Sequence, residues 1–298
     1  MKSKRRKELE GRLAAFALRR LQASLMRKSP ERAELQGAKI GRLLMKFGKS
    51  RRNRALANLE LAFPDKTPAE REEIARKTFE HFGMITCDFL QIPKRSMEEF
   101  NATVEVVGYE HLDNALALGH GCIFITGHFG NWERASTWMS THGYKLNVVA
   151  RDADDTGVNA IVNELRTKTG TQVLSRGAAA RPILEALKRN ELVGILPDQN
   201  ADEIFIPFFG KPAGTVLGPG VIHKRTGAPV VPGYAIRIGP GRYRFEVHPP
   251  LVPVEGYDVK EGMMRAIHAS LEGVIRKYPE QYLWFHDRWR NARKRGLL

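Results

Sequence analysis

The sequence predicts an α/β fold: a mainly parallel sheet flanked by helices and preceded by basic amphipathic helices. Three observations predict it. Seven short runs rich in β-formers fall between residues 103 and 250, helical stretches separate several of them, and residues 9–60 and 67–90 read as helix before the pattern changes. Strands alternating with helices give βαβ units, whose crossovers join parallel neighbours.

In chain order, Leu9, Leu13, Phe16 and Leu21 form a loose apolar stripe broken by Arg20, and Ile40, Leu43, Leu44 and Phe47 a regular one at i, i+3, i+4, i+7. Both suit packing against the body with basic residues outside, and both suit contact with a membrane surface. The two uses are compatible. "TPAEREEIARKTFEHFGMITCDFL" is a further helix, with Thr67 as N-cap and Pro68 at its first position. The strand-like runs are "TVEVVG", "GCIFITGH", "KLNVVARD", "TQVLSR", "ELVGILPD", "APVVPGYAIRI" and "RYRFEVHPP". Helices are expected at 109–119, 132–142, 156–169, 178–189 and 216–226. The last two strands turn through Gly239-Pro240-Gly241 as a hairpin. A closing helix at 260–278 leads into the aromatic, basic tail "PEQYLWFHDRWRNARKRG". Residues 1–100 therefore read as a helical, membrane-associating segment, and 101–298 as the α/β core with its tail.

With 42% hydrophobic and 27% charged residues, the chain can bury a core and is not disordered. Its net charge of +15 is concentrated at the ends: residues 1–58 hold 18 Lys/Arg against 4 Asp/Glu, and residues 276–298 hold 7 against 2. Such ends suit anionic lipid headgroups, nucleic acid or an acidic carrier protein. Nucleic acid is not expected as a partner, because no nucleic-acid motif appears and the basic ends lack stacking aromatics in a sheet pattern. Cys87 and Cys122 match no metal or redox spacing, and Cys122 reads as a small core residue in a reducing, cytosolic compartment. Neither a spanning apolar run nor a secretory h-region is present. Histidines 111, 120, 223, 248 and 268 have no metal-ligand spacing, so no metal is expected.

The chemistry concentrates in "CIFITGHFGNWERASTWM", where an apolar strand stops at Gly127-His128 and a helix follows. On one helix, residues five apart stand roughly 140° apart. His128 and Glu133 can therefore meet only if the chain turns between them, and Gly130 and Asn131 are turn and N-cap residues. An imidazole beside a carboxylate is a general base suited to an alcohol near neutral pH. No G-x-S-x-G elbow appears, and no cysteine lies near a partner base. Direct attack by an acceptor hydroxyl is favoured over an acyl-enzyme.

"TGHFGNWE" resembles the signature of the lipid A biosynthesis lauroyl/myristoyl acyltransferase family, within the lysophospholipid acyltransferase superfamily. "RRNRALANLELAFPDKTPAEREEIARKTFEHFG", "LPDQN", "IPFFGKPAGTVLGPGVIHKRTGAPVVP" and "YPEQYLWFHDRWR" are similar to its other blocks in order and spacing, so the resemblance covers most of the chain. It implies an α/β acyltransferase core with N-terminal helices. The implied reaction moves a fatty acyl chain from an acyl carrier protein or coenzyme A thioester to a hydroxyl of a membrane glycolipid such as a lipid A precursor. No cofactor beyond that thioester is implied.

The resemblance also implies His128 as general base, oriented by Glu133. Arg151 and Asp198 match charged positions of the family's site, at the ends of strands that face one crevice; Arg151 either pairs with Asp198 or contacts a phosphate or the thioester oxyanion. Arg166 matches a headgroup-groove position, and Arg288 one that reaches phosphates. Asn131 stands beside the base, as a helix cap before anything else. Phe208 and Phe209, in a Pro/Gly-rich loop, are either core or the wall of an acyl groove, and Trp284 is core. Many relatives carry an apolar N-terminal anchor where this chain has basic amphipathic helices. A peripheral enzyme on the cytoplasmic face of the inner membrane, bound to anionic lipid, is therefore expected. Two alternatives stand: acylation of another glycolipid such as a phosphatidylinositol mannoside, and a thioesterase or lipase using the same dyad on water.

Overall fold

The computed structural model describes residues 4–150, 156–175, 177 and 180–298. The nine strands among the described residues are β1 (Val104–Val107), β2 (Cys122–Ile125), β3 (Leu146–Ala150), β4 (Gln172–Ser175), β5 (Leu192–Ile195), β6 (Ile204–Phe208), β7 (Lys211–Thr215), β8 (Val230–Gly239) and β9 (Arg242–Val247). Seven form one sheet in the order β1-β9-β8-β2-β5-β3-β4. Every pairing in it is parallel except the β8–β9 hairpin, which turns where the sequence places Gly239-Pro240-Gly241.

The central strand β2 is apolar throughout because both its faces are covered. Cys122 and Phe124 enter one cluster with Trp138, Met139, Leu146 and Phe245; Ile123 and Ile125 enter another with Ile183, Leu187, Met263 and Ile267. The first face is covered by α6 (Glu110–Ala117) and α7 (Trp132–Thr141). The second is covered by α9 (Ala180–Lys188), α10 (Gly218–Thr226) and α11 (Val259–Lys277), while α8 (Thr156–Lys168) joins β3 to β4.

One element escapes the sequence pattern. β6 and β7 form a separate antiparallel ribbon in the Pro/Gly-rich stretch, with Pro207 opposite Pro212. Proline removes a ladder donor, and an isolated two-stranded ribbon tolerates this where a central strand does not. Phe208 and Phe209 at its turn are buried against Tyr282, Trp284 and Trp289, so they belong to the core.

Before the short α5 (Met97–Asn101), the N-terminal helices are α1 (Lys4–Leu25), α2 (Pro30–Phe47), α3 (Lys49–Ala62) and α4 (Pro68–Leu90). The last opens on the expected cap: Thr67 accepts from the Glu70 amide while Glu70 reaches back to the Thr67 amide. Packing of α2 on α4 uses glycine. A Cβ on Gly83 would lie 2.0 Å from the Gly37 carbonyl oxygen, and one on Gly41 2.1 Å from that of Phe79. Of the α2 stripe, Leu43, Leu44 and Phe47 face outward, Phe47 being 74% exposed, while Ile40 packs in the cluster with Leu25 and Phe89. On α1, Leu18, Leu21 and Leu25 pack with Ile161 and Leu165 of α8, while Leu9, Leu13 and Phe16 face out. Packing and outward display thus fall on different faces of the same helices. None of the described helices is long and apolar enough to cross a membrane.

These helices share their core with the body, since Leu59 and Phe79 join Tyr234, Tyr282, Trp284 and Trp289 in one cluster. Asn58 donates to the Trp284 and His286 carbonyls at 2.7 and 2.6 Å, and the Glu34 carboxylate meets Arg237 at 2.6 Å.

Candidate active site

Why does a buried strand end on histidine? In the parallel ladder Ile125 stands opposite Ile195. Three residues beyond each lie His128 and Asp198, so the register of β2 and β5 brings them together at the strands' C-terminal ends. The His128 amide donates to Asp198 Oδ2 at 2.9 Å, and Nδ1 lies 2.8 Å from Oδ1. The bracketing glycines have steric causes. Gly130 has φ +57°, and a Cβ on it would sit 2.1 Å from the Ala235 carbonyl oxygen, while one on Gly127 would meet Leu271.

The loop is held on all sides. Leu283 donates to the His128 carbonyl, the Gly130 amide to that of Gln281, and the Asn131 amide to that of Ala235. His81 on α4 bonds the Gly130 carbonyl at 3.1 Å.

Asp198 is buried, which by itself would raise its carboxyl. The charge and hydrogen bonds of His128, with Arg288 nearby, outweigh this and hold it below the usual carboxylate range. An ionised Asp198 accepts a hydrogen bond from Nδ1–H, which leaves Nε2 as the lone-pair nitrogen. Nε2 meets the Gln199 side-chain nitrogen at 3.3 Å, so that amide donates to it. The edge of Trp132 packs on the ring, with centroids 5.3 Å apart.

The orienting hydrogen bond expected from Glu133 therefore comes from Asp198. Asn131 ends the loop by capping α7, and Glu133 falls in the helix's first turn facing α8. There it accepts from Arg166 Nε at 3.1 Å and from Trp132 Nε1 at 2.9 Å. Arg166 lines the cavity, with its charge matched by Glu133. Asn131 is buried; besides capping, it donates to Asp88 at 3.1 Å, so it offers no substrate contact. Asp88 in turn holds buried Arg134 at 2.8 and 2.7 Å, fastening the start of α7 to α4. Arg288 does not stand where its motif match implies. It is buried and donates to the Gly214 carbonyl and the Thr215 hydroxyl, so it cannot reach a lipid phosphate. Asp198, matched to a charged position of the family's site and expected among its substrate-binding residues, lies against His128 instead. Arg151 lies outside the described residues.

His128 and Gln199 face a cavity of about 760 Å³. His128, Trp132, Glu133 and Arg166 line its polar part. Phe124, Met139 and Leu146 line it on one face of the sheet, and Ile183 and Ile222 on the other. Burial pushes the Cys87 and Cys122 thiols up to about 11 and about 12, which suits neither as a nucleophile.

Gln199 and the Asp88–Arg134 clamp are the parts that pattern alone does not reveal. The only sequence signal for the first was its place beside Asp198 in "LPDQN".

Two buried histidines give the protein an acid limit. Burial pushes His81 down to about 4 and His268 to about 3, from an ordinary 6.5. The unfolded chain then binds more protons below pH 6.5. Their contribution to stability is complete above that pH and declines as pH falls toward 4. Denaturant unfolding between pH 7.5 and 5 should show falling stability, with a shallower slope in His81→Gln.

The sequence profile of the bacterial lipid A biosynthesis acyltransferase family matches residues 16–291. The chain is 26% identical to a lipid A biosynthesis acyltransferase of Haemophilus influenzae over 250 residues, covering 83% of this chain and 78% of that one. It is 26% identical to the lipid A biosynthesis myristoyltransferase of Escherichia coli, covering 83% and 77%. It is 27% identical to a phosphatidylinositol mannoside acyltransferase of Mycobacterium tuberculosis, covering 71% and 69%. With the family profile spanning nearly its whole length around a strand-end histidine and an apolar cavity, the chain belongs to the bacterial lipid A biosynthesis acyltransferase family and is an acyltransferase.

Proposed function

We propose that the protein moves a fatty acyl chain from an acyl carrier protein or coenzyme A thioester to a hydroxyl of a lipid A-type glycolipid, with His128 as general base. The observation that carries this is the His128–Asp198 pair at the mouth of a largely apolar cavity. The acceptor hydroxyl displaces the Gln199 amide from Nε2 and gives its proton to that nitrogen as its oxygen attacks the thioester carbonyl carbon. The carbonyl electron pair moves to oxygen, then returns as the C–S bond breaks. The departing thiolate takes the proton from the imidazolium, so the base is restored without a cofactor. Asp198 stabilises the transient imidazolium. The Glu133–Arg166 pair forms a polar rim for the acceptor headgroup.

The acceptor arrives in a membrane, and the outer faces of α1 and α2 support a peripheral enzyme on an anionic, cytoplasmic inner-membrane surface. Each basic residue near such a surface contributes at most about 1 kcal/mol, and outward apolar residues add insertion energy. The test is an assay on anionic vesicles carrying a lipid A precursor, with phosphatidylinositol mannoside vesicles as the other arm, given the mycobacterial relative. Mass spectrometry should show the acceptor heavier by one acyl chain, whereas release of free fatty acid alone would identify a hydrolase. Leu13→Glu, Phe16→Glu and Phe47→Glu together should abolish co-sedimentation at low salt while sparing activity on detergent-dispersed acceptor. Undiminished sedimentation of the triple variant would remove these helices from membrane attachment.

A further inference from the structure

The cavity wall below His128 is built from one stripe of α7. Trp132, Ser136 and Met139 all line it, so a single helical face descends from the polar mouth to an apolar end. At 1.5 Å per residue, the step from Trp132 to Met139 takes this wall down about 10 Å. Met139 and Leu146 are each 1% exposed and packed in the core, which closes the lower end.

The opposite wall contains a row across three strands, in which Phe124 of β2 pairs with Gly194 of β5, and Gly194 with Val148 of β3. All three line the cavity. Gly194 is the bare place in that row. Its φ is not left-handed, so the backbone does not require glycine there. A Cβ would meet Leu146 Cδ1 and Val148 Cγ1 at 3.4 Å, ordinary contact distance, and anything larger would enter the space between the sheet and α7. What glycine supplies at 194 is room.

Resting on the acyl-transfer reading, we propose that this arm receives the donor's acyl chain, and that Gly194 and Met139 set the chain length it accepts. Gly194 keeps the bore open; Met139, with Leu146, closes its floor. With C–C bonds of about 1.5 Å, an extended chain advances roughly 1.3 Å per carbon. A depth of about 10 Å then holds about eight carbons below Trp132, and about ten counted from a carbonyl beside His128.

The test is equilibrium binding of unreactive S-alkyl pantetheine thioethers of six to eighteen carbons to the full-length protein. This probe is common to both carriers and needs no acceptor. Affinity should rise about fourfold per buried methylene and level off near ten carbons. In Gly194→Val the plateau should come at least two carbons earlier, and in Met139→Ala at least two carbons later. The same plateau in all three proteins, or wild-type affinity independent of length, would overturn the assignment. Should Gly194→Val fail to fold, Met139→Ala decides alone. Loss of transfer in a His128 variant alongside unmoved plateaus would remove the length assignment and leave the acyl-transfer reading standing.

Discussion

Purified His128→Ala should transfer acyl groups about 10²–10⁴-fold more slowly than wild type, the usual worth of a general base. The ring is half-buried and meets Asp198 at Nδ1, Gln199 at Nε2 and the Trp132 ring, all by side-chain contacts at the rim of the cavity. The main-chain bonds of residue 128 to Asp198 and Leu283 do not involve the side chain. Folding should therefore survive, as near-native thermal unfolding would show. Initial rates with saturating thioester and a lipid A precursor measure the effect. A rate close to wild type would dismiss the mechanism.

Asp198→Asn should be nearly as damaging, by about 10²–10⁴-fold, while Glu133→Gln should cost less and act mainly through the Michaelis constant for the acceptor. The reason is the proton on the imidazole. A carboxylate accepts from Nδ1–H and leaves Nε2 free to take the hydroxyl proton. An amide in the same place can donate to Nδ1 and favour the tautomer whose Nε2 is already protonated, and it adds no charge to steady the imidazolium. Glu133 bonds Arg166 and Trp132 instead of the imidazole, so its loss disturbs the rim of the site. Steady-state kinetics of the two variants side by side decide between the carboxylates. A near-normal Asp198→Asn with a crippled Glu133→Gln would restore the partnership that the "HFGNWE" spacing suggests.

Why did spacing favour the wrong carboxylate? Sequence distance shows what a turn can join, and Gly130-Asn131 does turn the chain. It does not show that Asn131 then starts a helix whose first turn faces α8. The true partner lies 70 residues away, and only the pairing of β2 with β5 brings it near. Both strands were legible as apolar runs ending in "GH" and "PD"; their being neighbours was not, because strand order in a parallel sheet is a tertiary property. Arg288 shows a related limit. A motif match located it, yet burial behind Thr215 and Gly214 determines what it can touch. The β6–β7 ribbon was hidden by its prolines. The helices with clear caps and stripes, α4 and α11 among them, were readable because caps and periodicity are local.

At Gly37, Gly41 and Gly83 the seam between α2 and α4 runs backbone against backbone. Such a seam expels little apolar side-chain surface from water and is held by close van der Waals contact. Pairs of this kind keep their cohesion in hydrocarbon, where no water remains to be expelled. Transfer of the outer stripe from water into lipid thus leaves the inner seam energetically almost indifferent. The outer stripe could then enter lipid with the pair still docked on the body, and the free energy of that entry would depend on the outward residues. Attachment to a bilayer and cohesion of the fold become separate thermodynamic variables, so salt or lipid composition can alter the first without drawing on the second.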